Sequence, residues 1–354
     1  MIKMHRDLSS SPRILLPTAL MLTLLGCPAP SEQKTQARSH SQDPPALPSA
    51  PGLTRPNRAA PRAAPDDVAA FLKTAQLRDA APKLRDPEKG VLSVTLEDPS
   101  SAQSKSALIS PALIEAPNAY KKTLAYYGLA RALGIQGVPV SVKRALGLGE
   151  VAALLQKASE NGVSPLLDRL SVQNDGRVEL LFTTPGPEAD PWRSPTGTLL
   201  GIAGGAGTEA LQKWAISEAP VPSEQIPALR SYIEMLALDF LAANFLRKTA
   251  LKESESGRLL LMDNEDAFPD TADPRALDPL LSALAACARF PRALWTNLKR
   301  LDAERIHALF LDGPFENWLI SPRNAVLLGE RRASLLSLIG AKIEIAGEAA
   351  LLSL

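Results

Sequence analysis

A short acidic stretch in the second half of the chain contains the side chains best suited to bind a metal ion. Asp263, Glu265 and Asp266 lie together, with Asn264 between them. Carboxylate and amide oxygens are hard ligands of the kind that Mg²⁺, Mn²⁺ and Ca²⁺ prefer. The stretch lacks the regular ligand spacing of a calcium-binding loop. The pattern therefore leaves two interpretations open, a metal site and a solvated acidic turn.

A second polar set lies upstream, in the segment LALDFLAANFLRK at residues 236–248. Together the two segments read Asp-Phe-Leu-x-x-Asn-x-x-Arg and then Asp-Asn-x-x-x-Phe. This order resembles the large-lobe pattern of the atypical kinases of the secretory pathway, the Golgi casein kinase and four-jointed group with their bacterial lipoprotein relatives. The matching residues are Asp239, Phe240, Leu241, Asn244, Arg247, Asp263, Asn264 and Phe268.

The resemblance covers about residues 88–350 and is strongest over 119–144 and 230–300. It implies an α+β fold of two lobes like that of protein kinases, with a small β-rich N-lobe and a mostly helical C-lobe. The local patterns agree with this order. Residues 88–185 predict strand, strand, helix, strand, helix and strand, whereas the chain from about Ser223 onward is mostly helical in pattern.

Three positions depart from what phosphoryl transfer requires of a kinase. By the resemblance, Leu246 stands where the catalytic aspartate is expected, Ser110 where a strand lysine is expected, and Thr123 where the orienting helix glutamate is expected. Lys105 and Glu115 are the nearest candidates for substitutes. Asn244 and Asp263 remain as a possible metal or nucleotide site, which implies Mg²⁺ or Mn²⁺ with ATP as possible cofactors.

The departures favour a catalytically inactive pseudokinase that acts as a binding or regulatory module for an unknown protein partner. General-base catalysis alone contributes about 10²–10⁴-fold, and here three groups are missing together. Two alternatives stay open. One is an active metal-dependent kinase that uses Asp263 and a relocated base such as Asp239 or Asp266, and the other is a structural or ligand-binding envelope lipoprotein.

The N-terminus has the pattern of an export signal. A basic start is followed by the apolar run ILLPTALMLTLLG and then by Cys27. This resembles the bacterial lipoprotein signal, which implies diacylglyceryl and palmitate-type acylation of Cys27 and anchorage to a membrane. We expect a location in the bacterial cell envelope, with the outer membrane favoured and the domain facing the periplasm or the cell exterior.

These patterns divide the chain into five parts. They are a lipoprotein signal peptide at 1–27, a Pro-rich tether without stable structure at 28–65, an N-lobe at 66–185, a connector at 186–221 and a C-lobe at 222–354. We predict that Asp66 caps a helix that continues to Leu77, that Gly134 ends the next helix, and that the connector is irregular. The glycine-rich run at 201–208 lacks the lysine of a phosphate-binding loop and is interpreted as part of that connector.

Composition excludes several classes of function. The formal net charge of +1 gives no reason to expect a nucleic-acid partner. Two cysteines, Cys27 and Cys287, cannot form a disulfide framework, and Cys287 is predicted to be a buried core thiol. Only three histidines are present, and His307 is interpreted as a packed or surface residue rather than a catalytic base. The pairs Lys299-Arg300 and Arg331-Arg332 are predicted to lie on solvated helix faces.

Overall fold

The computed structural model describes residues 65–78, 82–101, 103–159, 165–185, 197–201, 209–247, 249–253, 256–271, 273–312 and 317–354. Within 197–201, and within 249–253 apart from Ala250, it describes the backbone alone. The predicted signal peptide, Cys27 and the predicted tether up to residue 64 lie outside the described residues. Most of the glycine-rich run at 201–208 lies outside them as well.

The N-lobe is built on an antiparallel sheet. Its strands are β1 (Gln76–Leu77), β2 (Lys83–Asp86), β3 (Val91–Glu97), β4 (Ser104–Pro111), β5 (Ser141–Gly147) and β6 (Arg177–Thr183). The strand order is β1-β3-β4-β6-β5, and β2 pairs with β3 beside β1. Residues along β3 alternate between buried and half-buried, as the alternating sequence predicts for a strand with one face in a core.

Three helices pack against or beside this sheet. They are α1 (Pro65–Thr74), α2 (Ala119–Leu133) and α3 (Leu148–Ala158). Gly134 ends α2 with φ 75°, a left-handed conformation that glycine adopts without strain, so this predicted C-cap is confirmed. One end of α2 packs on the sheet through Tyr120, whereas Tyr126 and Leu133 belong to the core of the other lobe.

The prediction for the first helix was wrong at both ends. Asp66 is not the cap, because α1 begins at Pro65, whose fixed φ and missing N–H suit the first helical position. Asp66 instead forms an exposed ion pair with Arg131, 2.8 Å between Oδ1 and Nη2. The helix ends at Thr74, and Leu77 pairs with Leu96 of β3. Pairing with a strand that follows later in the chain thus overrides local helix propensity.

The connector is also more regular than predicted. It contains β7 (Gly197–Gly201) and α4 (Glu209–Ile216). Strand β7 pairs with β8 (Thr249–Glu253), which pairs in turn with β9 (Leu259–Leu260). A glycine-rich strand whose partner follows so much later carries little local signal, because its stability comes from the pairing.

The C-lobe is helical around one central helix, α5 (Ile226–Ala242). The others are α6 (Asp278–Ala286), α7 (Arg292–Arg300), α8 (Ala303–Phe310), α9 (Pro322–Ala346) and α10 (Glu348–Leu351). Helix α5 is buried on nearly all sides, as its apolar sequence indicates. Among the helices that the structure describes, none is long and apolar enough to cross a membrane.

Cysteine and arginine predictions for this lobe had different outcomes. Cys287 is fully buried, as predicted, and burial raises the pKa of its thiol to about 11. Lys299 and Arg300 are exposed, as predicted. The prediction for Arg331 and Arg332 was wrong, because both side chains are half-buried. Arg331 Nε donates to the Leu241 carbonyl at 2.8 Å and Arg332 Nε to the Leu298 carbonyl at 2.8 Å, so they tie α9 to its neighbours.

Candidate functional site

Asp239 is the centre of a buried polar cluster at the end of α5. It is 2% exposed and accepts four hydrogen bonds. Its donors are the Tyr126 hydroxyl at 2.7 Å, Arg247 Nε at 2.6 Å, Arg247 Nη2 at 3.0 Å and Asn244 Nδ2 at 3.2 Å. A carboxylate that is so enclosed cannot reach a substrate, and Asp239 therefore does not serve as the relocated base of the alternative hypothesis.

A tight reversal of the chain creates this cluster. Helix α5 ends at Ala242, its C-cap residue Ala243 has φ 52°, and the Asn244 N–H donates to the Asp239 carbonyl at 2.8 Å. A left-handed residue that is not glycine is uncommon and is maintained only where surrounding contacts hold it. The reversal brings the side chains of Asn244 and Arg247 back onto Asp239.

Arg247 joins the two segments of the sequence pattern. Its Nη2 donates to Asn264 Oδ1 at 2.6 Å and to the Tyr126 hydroxyl at 2.8 Å, and its Nη1 donates to the Met262 carbonyl at 2.7 Å. Burial by itself lowers the pKa of Arg247, but the Asp239 carboxylate outweighs burial and the net pKa lies above its ordinary value. The Asp239–Arg247 pair is therefore buried and almost fully hydrogen-bonded, and it acts as a structural element.

Asp263 lies in a strained turn beside this cluster. It has φ 54°, and Asn264 holds the turn by donating from Nδ2 to the Leu261 carbonyl at 2.9 Å. Burial raises the pKa of Asp263 above its ordinary value, the charge of Glu265 adds to the rise, and Lys89 and Arg247 oppose it. Asp263 as a whole residue is nevertheless exposed.

The three positions that depart from the kinase pattern lie on different elements. Ser110 is half-buried in β4, opposite Leu181 of β6, and Thr123 is half-buried on α2. Leu246 is 50% exposed, in the short segment between Asn244 and Arg247. Within the described parts of the chain, no hydrogen bond joins Ser110, Thr123 or Leu246 to the Asp239 cluster.

Neither nearby candidate replaces the missing lysine or glutamate. Lys105 pairs opposite Leu96, and its Nζ lies 4.8 Å from the centre of the Phe71 ring. Glu115 is paired with Arg169, 2.8 Å between Oε1 and Nε. Both side chains are engaged in contacts of their own, and the strand register that would move Lys105 towards Ser110 is not adopted.

Two lysines that sequence reasoning missed lie between the lobes. Lys143 of β5 contacts Asp312, which follows α8, and its Nζ lies 3.7 Å from Glu179 Oε1 of β6. Tyr120 donates a hydrogen bond to Glu179. The alternation of Lys143 with the buried Val142 shows only that Lys143 points to the other face of the sheet.

The second missed residue is Lys89, in the turn between β2 and β3. Its ammonium forms a salt bridge with Glu265, two residues beyond Asp263. The contact spans 176 residues of sequence, and no local pattern predicts it.

The residues present do not fit the metal–nucleotide centre that the resemblance implies. Among the described residues there is no group of three or more His, Cys, Asp and Glu side chains that could hold a metal ion. Glu265 is paired with Lys89. Asn244 is 1% exposed, and its Nδ2 amide group donates a hydrogen bond to Asp239. The Asn244 Oδ1 atom has no hydrogen-bond partner within the described residues, but it is enclosed by protein. Asp263 is thus left without a second oxygen ligand from Asn244 or Glu265.

Comparison with known proteins supports the fold. No protein-family model matches the chain, and no curated protein is significantly similar to it in sequence. The crystal structure of the Golgi casein kinase with Mn/ADP bound superposes with a TM-score of 0.55 at 14% identity, covering 81% of this chain and 78% of that chain. Another structure of the Golgi casein kinase gives a TM-score of 0.56 at 14% identity, covering 82% and 79% of the two chains. The structure of hydra Fam20 with sugar gives a TM-score of 0.52 at 16% identity, covering 80% of this chain and 90% of that chain.

Identities this low establish likeness of fold alone. The chain has a two-lobe, kinase-like α+β fold that resembles the atypical secretory-pathway kinases.

Proposed function

We propose that this protein is a catalytically inactive pseudokinase that acts as a binding or regulatory module for a protein partner in the cell envelope. The observation that supports the proposal most directly is the contrast around residue 246. Asp239, Arg247 and Asn264 keep a buried hydrogen-bonded framework, while the half-exposed side chain between Asn244 and Arg247 is the apolar Leu246. A leucine side chain can neither accept a proton nor orient a hydroxyl group.

The missing lysine and glutamate agree with this proposal. Ser110 has no charge with which to hold a phosphate chain, Thr123 has none with which to orient a lysine, and Lys105 and Glu115 are engaged elsewhere. Positioning and charge stabilisation supply most of the catalysis in phosphoryl transfer. A fold that keeps its framework without these groups is suited to binding rather than to chemistry.

The test is a phosphotransfer assay on the purified protein with labelled ATP, Mn²⁺ and Mg²⁺, with a melting experiment in parallel. We expect no incorporation of phosphate. A nucleotide present at 100 times its dissociation constant raises the free energy of unfolding by about 2.7 kcal/mol, so the melting curve reports nucleotide binding separately. Phosphotransfer that is lost in Asp263→Ala but kept in the surface variant Asp168→Ala would show that the protein is an active kinase.

Lipid anchorage through Cys27 is part of the same proposal. The basic and apolar run before Cys27 supports it. We expect a palmitate analogue to label the full-length protein in bacterial cells and the labelled protein to partition into detergent. Cys27→Ser should abolish both, and Cys287→Ser is the matched control because these are the two cysteines of the chain. Labelling that persists in Cys27→Ser would contradict this part of the proposal.

A further inference from the structure

The turn that carries Lys89 is held rigidly by its own residues. Asp86 Oδ1 accepts hydrogen bonds from the backbone N–H groups of Glu88 at 2.9 Å and Lys89 at 3.0 Å. Aspartate commonly fixes turns through this kind of contact. Gly90 has φ 68°, and a Cβ atom there would lie 3.2 Å from side-chain atoms of both Leu166 and Pro111. The tip of the β2–β3 hairpin is therefore packed against the end of β4.

This packing places the Lys89 ammonium at the acidic turn of the C-lobe. Lys89 forms a salt bridge with Glu265, two residues beyond Asp263 in the same turn. Burial lowers the pKa of the Lys89 ammonium, but the hydrogen bond to Glu265 and the charges of Glu265 and Asp263 outweigh burial and raise the pKa above its ordinary value. An exposed salt bridge is weak by itself. The backbone at Lys89 is instead held in place by the contacts of Asp86 and Gly90, so that only the lysine side chain has to be ordered when the salt bridge forms.

We infer that Lys89 is a built-in counter-ion, whose ammonium group takes the place that a divalent cation needs beside Asp263 and Glu265. The inference rests on the proposed function, because a module that transfers no phosphate has no need for the metal. A divalent ion would have to displace the ammonium, and Mg²⁺ and Mn²⁺ are bound through oxygen ligands that Lys89 cannot supply. Lys89 thus accounts for the part of the missing metal surroundings that concerns Glu265, whose carboxylate is paired with the ammonium group.

The experiment is a titration with Mn²⁺ alone, without nucleotide, in which the spin resonance signal of free Mn²⁺ is followed. Wild type, Lys89→Met and Lys73→Met are compared. Methionine keeps much of the side-chain length and removes the charge, and Lys73 is an exposed residue of α1. We expect Lys89→Met to bind Mn²⁺ at least about tenfold more tightly than wild type, which corresponds to about 1.4 kcal/mol. Lys73→Met should behave as wild type.

Three results would overturn the inference. They are equal Mn²⁺ affinity of wild type and Lys89→Met, no Mn²⁺ binding by Lys89→Met, and an equal gain in Lys73→Met. The gain must also disappear in the double variant Lys89→Met with Asp263→Asn, because a gain that persists places the ion elsewhere. Phosphotransfer by wild type would refute the proposed pseudokinase function without deciding the Mn²⁺ comparison, so the two failures are distinguishable.

Discussion

At the scale of single residues, the Asp239–Arg247 pair is a buried structural contact rather than an accessible reactive group. Both side chains are almost completely buried, and Tyr126, Asn244 and Asn264 occupy their remaining hydrogen-bonding positions. Burying a charged pair is costly in desolvation, and removing one partner leaves the other charge uncompensated. The pair therefore acts on stability and on the shape of the turn, as the proposed binding module requires of its scaffold.

The first prediction concerns this pair. Asp239→Ala should lower the free energy of unfolding by about 3–5 kcal/mol, because Arg247 is then left charged inside the protein. Chemical denaturation measures the change. Glu97→Ala is the control, since the Arg78–Glu97 pair is exposed and its loss should cost at most about 1 kcal/mol. Equal losses in the two variants would show that the buried cluster is not the structural element described.

A second residue-scale prediction concerns Glu234 on α5. It lines a pocket of about 540 Å³ between α5 and the loop after α2, where Arg230 and Arg258 also lie. Burial raises the pKa of Glu234 to about 7, and the two arginines oppose the rise. The folded state therefore holds this proton more tightly than the unfolded state, whose glutamate has a pKa near 4.5.

The contribution of Glu234 to stability consequently falls as the pH rises from about 4.5 to 7 and is constant above that window. The glutamine of Glu234→Gln is neutral at every pH, so the variant does not lose stability through this group as the pH rises. Relative to wild type, the variant should gain about 1–3 kcal/mol of unfolding free energy between pH 4.5 and pH 8. Urea denaturation at the two pH values measures it, with the exposed Glu218→Gln as control. A stability difference that does not change with pH would contradict the raised pKa.

At the scale of elements, the loop between α2 and β5 depends on close backbone contact with the C-lobe. The Leu261 N–H donates to the Gly137 carbonyl at 2.7 Å. A Cβ atom at Gly137 would lie 2.3 Å from the Leu259 carbonyl oxygen, a distance that real Cβ atoms do not show. The absence of a side chain at residue 137 thus allows α2, β5 and β9 to meet.

This contact gives the third prediction. Gly137→Ala should lower the free energy of unfolding by about 1–3 kcal/mol, because backbone must move to admit the methyl group. Gly149→Ala is the matched control. It lies in the first turn of α3 with no neighbour within 4 Å of the added Cβ atom, and alanine there should stabilise slightly, by up to about 0.5 kcal/mol, because the full effect belongs to the middle of a helix. Thermal and urea unfolding measure whether each variant is less or more stable than wild type. Destabilisation of equal size at both positions would contradict the argument.

At the scale of the whole molecule, the proposed loss of activity is distributed over both lobes. Ser110 lies in a strand of the N-lobe, Thr123 on the helix that bridges the lobes, and Leu246 in the C-lobe. The contributions of catalytic groups that act as a unit to the reaction rate are strongly non-additive, so restoring one group recovers little activity when the others are absent. The molecule as a whole, rather than a single substitution, is therefore expected to be inactive.

The fourth prediction follows from this distribution. Leu246→Asp should show no detectable phosphotransfer from labelled ATP, because the lysine and the glutamate are still missing. Leu246 is 50% exposed, so the substitution should change the free energy of unfolding by no more than about 0.5 kcal/mol. A folded Leu246→Asp protein that transfers phosphate would show that Ser110 and Thr123 are not essential positions.

Much of the fold could be predicted from local patterns. The alternation in β3, the strand character of β6 and the end of helix α2 at Gly134 are properties of short segments, and the structure contains all three. Strands β1, β2 and β7 were missed, because each is short or rich in polar and glycine residues. Their stability comes from pairing with strands that the local sequence does not contain.

By itself, the sequence determined the two-lobe order of elements and the residue types at the positions of interest, including Leu246, Ser110 and Thr123. Periodicity and spacing are local quantities, and they depend on neighbouring residues alone. Only the tertiary structure decided that Asp239 is enclosed, that Lys105 and Glu115 are engaged elsewhere, and that Lys89 meets Glu265. The Lys89–Glu265 contact joins residues 176 positions apart and depends on the packing of one lobe on the other. The contacts of Lys105 and Glu115 depend on packing within the N-lobe, and the enclosure of Asp239 depends on the chain reversal at Ala243 and on Tyr126 of α2, none of which the spacing of residues in the sequence specifies.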